Sequence, residues 1–339
     1  MKKVCVVILS VLSLIFISCA TTIPVTVTRP SKIDVGSAKT ISVLPFNVSD
    51  DLPFWFAVLT DNFDQGQVNT ADYLTSGLNN KLASSKYFTL LDVPHEKYES
   101  DSTIKSDIYI TGKIISFYSN IEHYTEKIEE TDKKENKKSD DPEFLEEKPK
   151  KKVRFVEHYK RNVSASVEYK VVETKTKRIL LSNVKDFSSS SADYESSSSV
   201  PSSLSLIKSY LDNIQNEILT NIQPYNVTLS LKLLDDKTKN ADLADAKALA
   251  KNGNISQSKE KYYYVYESTG DFTAGYNAAL LMEAQGDLEN AKSLLEDLVI
   301  ATSDDRAIKA LNNVQYEINE KQKLQNQQNA KKGNGSTEK

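Results

Sequence analysis

Two short segments of this chain match each other at a fixed offset, and that repetition constrains the C-terminal half more than any other feature. Asn252-Gly253-Asn254-Ile255-Ser256-Gln257-Ser258-Lys259 aligns with Gln285-Gly286-Asp287-Leu288-Glu289-Asn290-Ala291-Lys292, 33 positions later. A period of this size marks stacked helical units, each unable to bury its apolar face alone. Gly253 and Gly286 are placed to turn the chain between paired helices. Ile255, Ser258, Leu288 and Ala291 then open the second helix of each pair, and Tyr276, Ala279, Leu280 and Ala284 supply packing positions on the next. Residues 240–316 are therefore expected to be all-helical. The Gln/Asn/Lys tail, 317–339, has no core-forming content and is expected to stay disordered.

Upstream the pattern changes to strands alternating with helices. Residues 40–46 (Thr-Ile-Ser-Val-Leu-Pro-Phe) read as a strand closed by proline, and 87–92 and 107–117 as two more. Ala71, Leu74, Leu78 and Leu82 fall on one face of a helix over residues 69–84. Residues 165–172 alternate cleanly and turn through 174–177 into a hairpin partner over 178–184. Leu204, Ile207, Leu211, Ile214 and Ile218 define a last amphipathic helix, stopped by Pro224. Residues 39–223 thus form an α+β domain, a mixed sheet with helices on it. Two interruptions stand out. Residues 122–152 are dominated by Glu, Lys and Asp of both signs and are expected to be a solvated, disordered insertion. Residues 188–199 read as a serine-rich loop.

The N-terminus reads as a targeting segment. Lys2 and Lys3 precede an apolar run from Val4 to Ile17 that ends in Ser18-Cys19-Ala20. The run is shorter than the ~20 residues of a spanning helix, and a small residue on each side of a terminal cysteine resembles a lipobox, with Phe16 in place of the usual leucine. That resemblance implies a signal peptide over 1–18 and a lipid on Cys19, which holds the protein at a bilayer. Ala20 at the second mature position implies the outer membrane. Residues 19–38, with Pro24, Pro30 and Gly36, are expected to be a tether.

Residues 41–46, 82–88, 106–114 and the strand pair 167–172 with 178–181 together resemble the CsgG/TolB-N/LpoB-like group of bacterial envelope proteins, over roughly residues 39–223. The glycine-aligned helices resemble tetratricopeptide repeats. The first resemblance implies either a periplasm-facing lipoprotein that binds and regulates envelope proteins or a subunit of, or accessory to, a curli-type outer-membrane secretion channel. It implies no enzyme. Channel hairpins need two segments of ~9–11 alternating residues, and neither the charge run nor the serine loop reads that way. Phe54, Trp55 and Phe56, in an apolar stretch where the channel branch carries its constriction loop, are the candidate partner contacts; their alternative is packing on the sheet edge.

The remaining residues carry no catalytic motif. The three histidines, His95, His123 and His158, have no metal-ligand spacing, and no nucleophile elbow, zinc-protease or phosphate-loop pattern occurs. Cys5 and Cys19 are the only cysteines, so the mature chain has no free thiol once Cys19 is lipidated. A net charge of −4 argues against nucleic acid. The expectation is a non-enzymatic lipoprotein without cofactor or metal. Its partners are the membrane, through Cys19, and an envelope protein, through the helical repeats, with homo-oligomerisation left open.

Overall fold

The computed structural model describes residues 21–48, 65–93, 104–131 and 151–333. The chain divides into two compact units, Lys32–Gln223 and a discontinuous unit made of the segment ending at Ser31 together with Pro224–Lys339. An α+β unit is therefore followed by helices, as expected, but it is inserted between two strands of the helical unit.

The elements in chain order are β1 (Thr22–Arg29), β2 (Thr40–Val43), β3 (Asn47–Val48), α1 (Gln65–Ser85), β4 (Thr89–Leu90), β5 (Ile108–Thr131), β6 (Lys151–Glu173), β7 (Ile179–Ser190), α2 (Ser203–Ile222), β8 (Tyr225–Lys232), α3 (Ala241–Lys251), α4 (Ile255–Thr269), α5 (Phe272–Ala284), α6 (Leu288–Thr302) and α7 (Asp305–Gly333). In the inserted unit the sheet order is β4-β2-β5-β6-β7, with β3 also paired to β5. Pairs among β2, β3, β4 and β5 are parallel, and β5-β6-β7 is antiparallel. One face is buried beneath α1 and α2, where Leu74, Leu78, Leu82, Ile207, Leu211 and Ile218 meet Ile41, Ile110, Ile114 and Val167, all fully buried. These helical residues recur at three- and four-residue intervals, which is what an amphipathic helix needs to cover a sheet.

Two polar devices fix this packing. Asp107 Oδ2 accepts from the N–H groups of Lys39 and Thr40 and from the Thr40 hydroxyl, each at 2.8 Å, locking the start of β2 to the start of β5. Burial pushes this carboxyl up, but those donors together hold it below its ordinary value. Beneath α2, the buried Tyr169 hydroxyl donates to Glu217 at 2.9 Å, while Asn183 Nδ2 and Lys185 Nζ reach the same carboxylate at 3.0 and 2.8 Å.

The helical unit is an array of antiparallel helices. Gly253 and Gly286 have φ of +79° and +77°, so each turn uses the left-handed backbone that glycine tolerates. Asn240 and Asp271 cap α3 and α5 with their side-chain oxygens. Ser258 Oγ donates to the Ala246 carbonyl at 2.7 Å across the first pair. Leu243, Tyr262, Ala278, Leu281, Leu295, Leu298, Ala307 and Val314 share one core.

Three expectations are corrected. The supposed tether is β1, paired residue by residue with β8, from Thr22 opposite Lys232 to Arg29 opposite Tyr225. Ile23, Val25 and Val27 turn inward, and Pro24 is tolerated because a two-stranded ribbon has only edge strands. The supposed disordered tail is largely helix: α7 runs to Gly333 because Ala307, Ala310, Val314 and Ile318 nucleate it in the core and Gln, Lys and Ala propagate it. The charge run is strand over residues 122–131 and 151–152, and β7 extends to Ser190, into the serine stretch. Positions 132–150 lie outside the described residues.

The charge run forms strands because folding back sorts its charges. From 121 to 131, β5 carries four glutamates and one lysine; from 151 to 161, β6 carries five Lys or Arg and one Glu. The register sets Glu122 opposite Lys160. Rings stack across both faces, His123 on Tyr159 at 4.5 Å and Tyr124 on His158 at 5.1 Å. Opposite-charge and aromatic cross-strand pairs are the stabilising units of such a ribbon.

Candidate functional site

The described part of the helical unit has one built polar constellation, and it starts from two amide side chains. Asn277 on α5 has no exposed surface; its Oδ1 accepts the Leu234 N–H at 2.7 Å and its Nδ2 donates to the Leu234 carbonyl at 2.9 Å. Gln327 on α7 treats Ser31 the same way: its Oε1 accepts the N–H at 3.0 Å and its Nε2 donates to the carbonyl at 3.1 Å. Each amide thus reads the N–H and C=O of one residue, completing a donor and an acceptor that lie outside the β1/β8 ladder.

Between these clamps, Arg29 at the end of β1 forks onto Glu317 of α7. Nη1 donates to Oε2 at 2.7 Å and Nη2 to Oε1 at 2.5 Å, with both side chains about nine-tenths buried. The guanidinium also lies 5.0 Å over the Tyr316 ring. Its hydrogen bonds to Glu317 raise the Arg29 pKa above its ordinary value.

Beside that pair is a cavity of about 230 Å³ between the inward face of the ribbon and the helices. Its walls are Val25, Val27, Leu229, Leu231, Leu288 and Leu324, and four charged side chains line it: Arg29, Glu283, Glu317 and Lys321. Glu283, at the C-terminal end of α5, is 6% exposed. Burial, followed by the nearby Glu317 charge, pushes its carboxyl up to about 7. Gly286, two residues past α5, also lines the opening.

A second candidate surface is the β5/β6 arm. β7 stops pairing at Asn162, so residues 121–131 and 151–161 continue as a two-stranded ribbon of roughly 35 Å. Its base is fastened by Arg161, whose Nε donates to the Pro201 carbonyl at 2.8 Å and whose Nη1 donates to Ser119 Oγ at 3.1 Å. A bridge between Tyr159 and Tyr194 adds to this. Further out, Tyr124, Val153 and Phe155 are exposed, Phe155 by 67%.

Of the residues singled out from sequence, Cys19, Phe54, Trp55 and Phe56 lie outside the described residues, as does His95. His123 and His158 sit on the arm as partners of tyrosine rings; His158 Nε2 is 3.1 Å from Glu126 Oε2. Among the described residues no group of three or more His, Cys, Asp or Glu could hold a metal ion, and no helix is long and apolar enough to cross a membrane. Sequence reading missed Arg29, Asn277, Glu283, Glu317 and Gln327 altogether. The strict alternation of Val227, Leu229 and Leu231 with Asn226, Thr228 and Ser230 was the available signal for β8, and through it for the pairing of β1.

No protein-family model matches this chain, and no curated protein does. Among solved structures it is similar to the hypothetical protein CT253 from Chlamydia trachomatis (11% identity over 45% of this chain and 73% of that one, TM-score 0.24). It is similar to a PelC dodecamer from Paraburkholderia phytofirmans (9% identity over 60% and 99%, TM-score 0.27). A third is a putative neuraminyllactose-binding hemagglutinin homolog from Helicobacter pylori (12% identity over 56% and 82%, TM-score 0.23). At these scores the likeness assigns neither family nor function.

Proposed function

We propose that this chain is a non-enzymatic lipoprotein of the bacterial cell envelope, anchored through Cys19 and acting as a protein-binding or assembly factor. Its inserted unit is CsgG/TolB-N/LpoB-like and its helices are tetratricopeptide-like. The observation that carries the reading is the mounting of the N-terminus. The segment directly after the proposed lipid site is β1, eight residues paired to β8 and fixed at its far end by Arg29 and Ser31. A lipid on Cys19 would therefore be joined to the helical unit almost without slack, which suits a protein that works at a bilayer surface.

The ribbon also changes which surface serves a partner. Asn277 and Gln327 hold the chain's own backbone, so the sides of α5 and α7 that bear them are occupied from within. The β5/β6 arm is the stronger contact for an envelope partner, since it joins exposed aromatics to a graded charge pattern and two open strand edges.

The second reading, a subunit of or accessory to an outer-membrane secretion channel, is favoured by one observation: β5 and β6 do extend into a long hairpin. Its composition opposes lipid exposure. By alternation one face carries Arg161, Glu157, Lys127 and Glu129, and the other Glu122, Lys160, Glu126 and Arg154. A lysine or arginine facing lipid at mid-bilayer costs about 2–4 kcal/mol, so such an arm belongs in water. The native mass of the lipidated protein in mild detergent separates the two readings. A monomer or small oligomer supports the adaptor; a large discrete ring supports the channel.

A further inference from the structure

Glu283 is a carboxyl more than nine-tenths buried that opens on an apolar cavity, and among the described residues none is hydrogen-bonded to its side chain. The other buried ionic groups beside it are matched, Arg29 with Glu317 at 2.5 and 2.7 Å. An unmatched buried acid is costly and is found where something else completes it. The cavity offers that something a definite shape. Val25, Val27, Leu229 and Leu231 on the ribbon face Leu288 and Leu324, and the four ribbon residues are only half-buried although they point toward the core.

We infer that this cavity is a binding site for a small aliphatic ammonium compound, its hydrocarbon chain between the ribbon and α6 and α7 and its ammonium donating to the Glu283 carboxylate. A carboxylate or phosphate ligand would face the Glu283 carboxyl, since Arg29 is already engaged by Glu317 and Lys321 is exposed at the rim. A neutral alcohol fits the walls but leaves the carboxylate charge uncompensated. A chain of about six carbons matches a cavity of about 230 Å³ that has room for little more than one such molecule.

The charged and titratable groups facing the site are Arg29 from β1, Glu317 and Lys321 from α7, and Tyr276 on the same helix as Glu283. Arg29 is engaged by Glu317, which leaves Glu283 as the acid that responds to the ligand. An ammonium ligand binds its ionised form. Affinity should therefore rise about tenfold from pH 6 to pH 8, the span over which a carboxyl titrating near 7 loses its proton.

The test uses the mature chain without its lipid, residues 20–339, so that neither the signal segment, acyl chains nor detergent compete. Hexylammonium, hexanol, hexanoate and Nα-acetyl-lysine amide are titrated by calorimetry at pH 6 and pH 8. The expected result is binding of hexylammonium at least tenfold tighter than hexanol or hexanoate at pH 8, and weaker binding at pH 6. Glu283→Gln should remove the advantage over hexanol, and Val27→Phe, which fills the cavity, should abolish binding of all four. Equal affinity for hexylammonium and hexanol, no binding of either, or an unchanged preference in Glu283→Gln overturns the proposal. Binding of the blocked lysine without the alkylamine also overturns it, and points to a lysine side chain of a partner instead. None of these outcomes depends on where the lipoprotein is anchored or what its arm contacts.

Discussion

Arg29 and Glu317 close a fork-on-fork ion pair across 288 positions of sequence, binding the first strand to the last helix. The pair does for the helical unit what a terminal repeat does for an open array: it pins a covering element over helices that cannot bury every face alone. Removing one partner leaves the other charged and buried. Arg29→Met should destabilise the helical unit by about 3 kcal/mol, whereas Arg29→Met with Glu317→Leu should recover most of that loss. Thermal or denaturant unfolding of the single and double variants checks this; equal destabilisation in both contradicts it.

Asn277 predicts a local signature. Asn277→Ala strands the Leu234 N–H and carbonyl without their partner, at a cost of about 1–3 kcal/mol. Hydrogen exchange at the Leu234 amide should accelerate, while amides of the α1 and α2 core stay protected. Uniform acceleration across the chain would mean the clamp has no local role.

Glu283 makes stability depend on pH in a definite direction. Burial raises its folded pKa to about 7, above the ordinary 4.5 of the unfolded chain. Below pH 4.5 both states hold the proton and there is no penalty. Between 4.5 and 7 the unfolded state releases its proton first and stability falls; above 7 the full penalty of roughly 3 kcal/mol is present. Glu283→Gln should match the parent near pH 4 and exceed it at pH 8. A pH-independent difference between the two contradicts the assignment.

Gly286 tests backbone conformation apart from space. A Cβ added there meets nothing within 4 Å, yet its φ is +77°. Gly286→Ala should cost about 1 kcal/mol and Gly286→Asn less, since asparagine tolerates that region better. Melting temperatures of the two variants decide it: equal stability with the parent would place the constraint elsewhere.

The arm predicts a separation of stability from binding. Replacing residues 124–158 by Asn-Gly joins His123 to Tyr159 through a two-residue hairpin turn. Unfolding of the remaining sheet unit should change by no more than about 0.5 kcal/mol, while cross-links to envelope partners disappear. Persistent cross-links would take the contact off the arm.

What could be read from the sequence was what local periodicity encodes. Leu74, Leu78 and Leu82 recur at helical spacing and Val167, Tyr169 and Val171 at strand spacing, and both sets are fully buried. Gly253 and Gly286 announced their turns because only a left-handed position demands glycine there. The failures share one cause, partners far apart in sequence. The Glu-rich residues at 122–131 looked like the start of one solvated run until β5 and β6 set them opposite the Lys/Arg-rich residues at 151–160. Residues 22–29 looked like a tether because their partner lies about two hundred positions later, at 225–232. The site was less legible still: Glu283 is one of many acids in the sequence, and only the cavity beside it sets it apart.

The account rests on a lipid at Cys19 that mounts the helical unit on a membrane. Its most direct test is fractionation of cells expressing the parent chain and a variant in which a cleavable signal peptide without a lipobox replaces residues 1–19, with salt and carbonate washes of the membranes. The account predicts the parent in the washed membrane fraction, extracted only by detergent, and the non-lipidated variant released in soluble form. A non-lipidated chain that has lost its signal peptide and yet remains as tightly membrane-bound as the parent contradicts it.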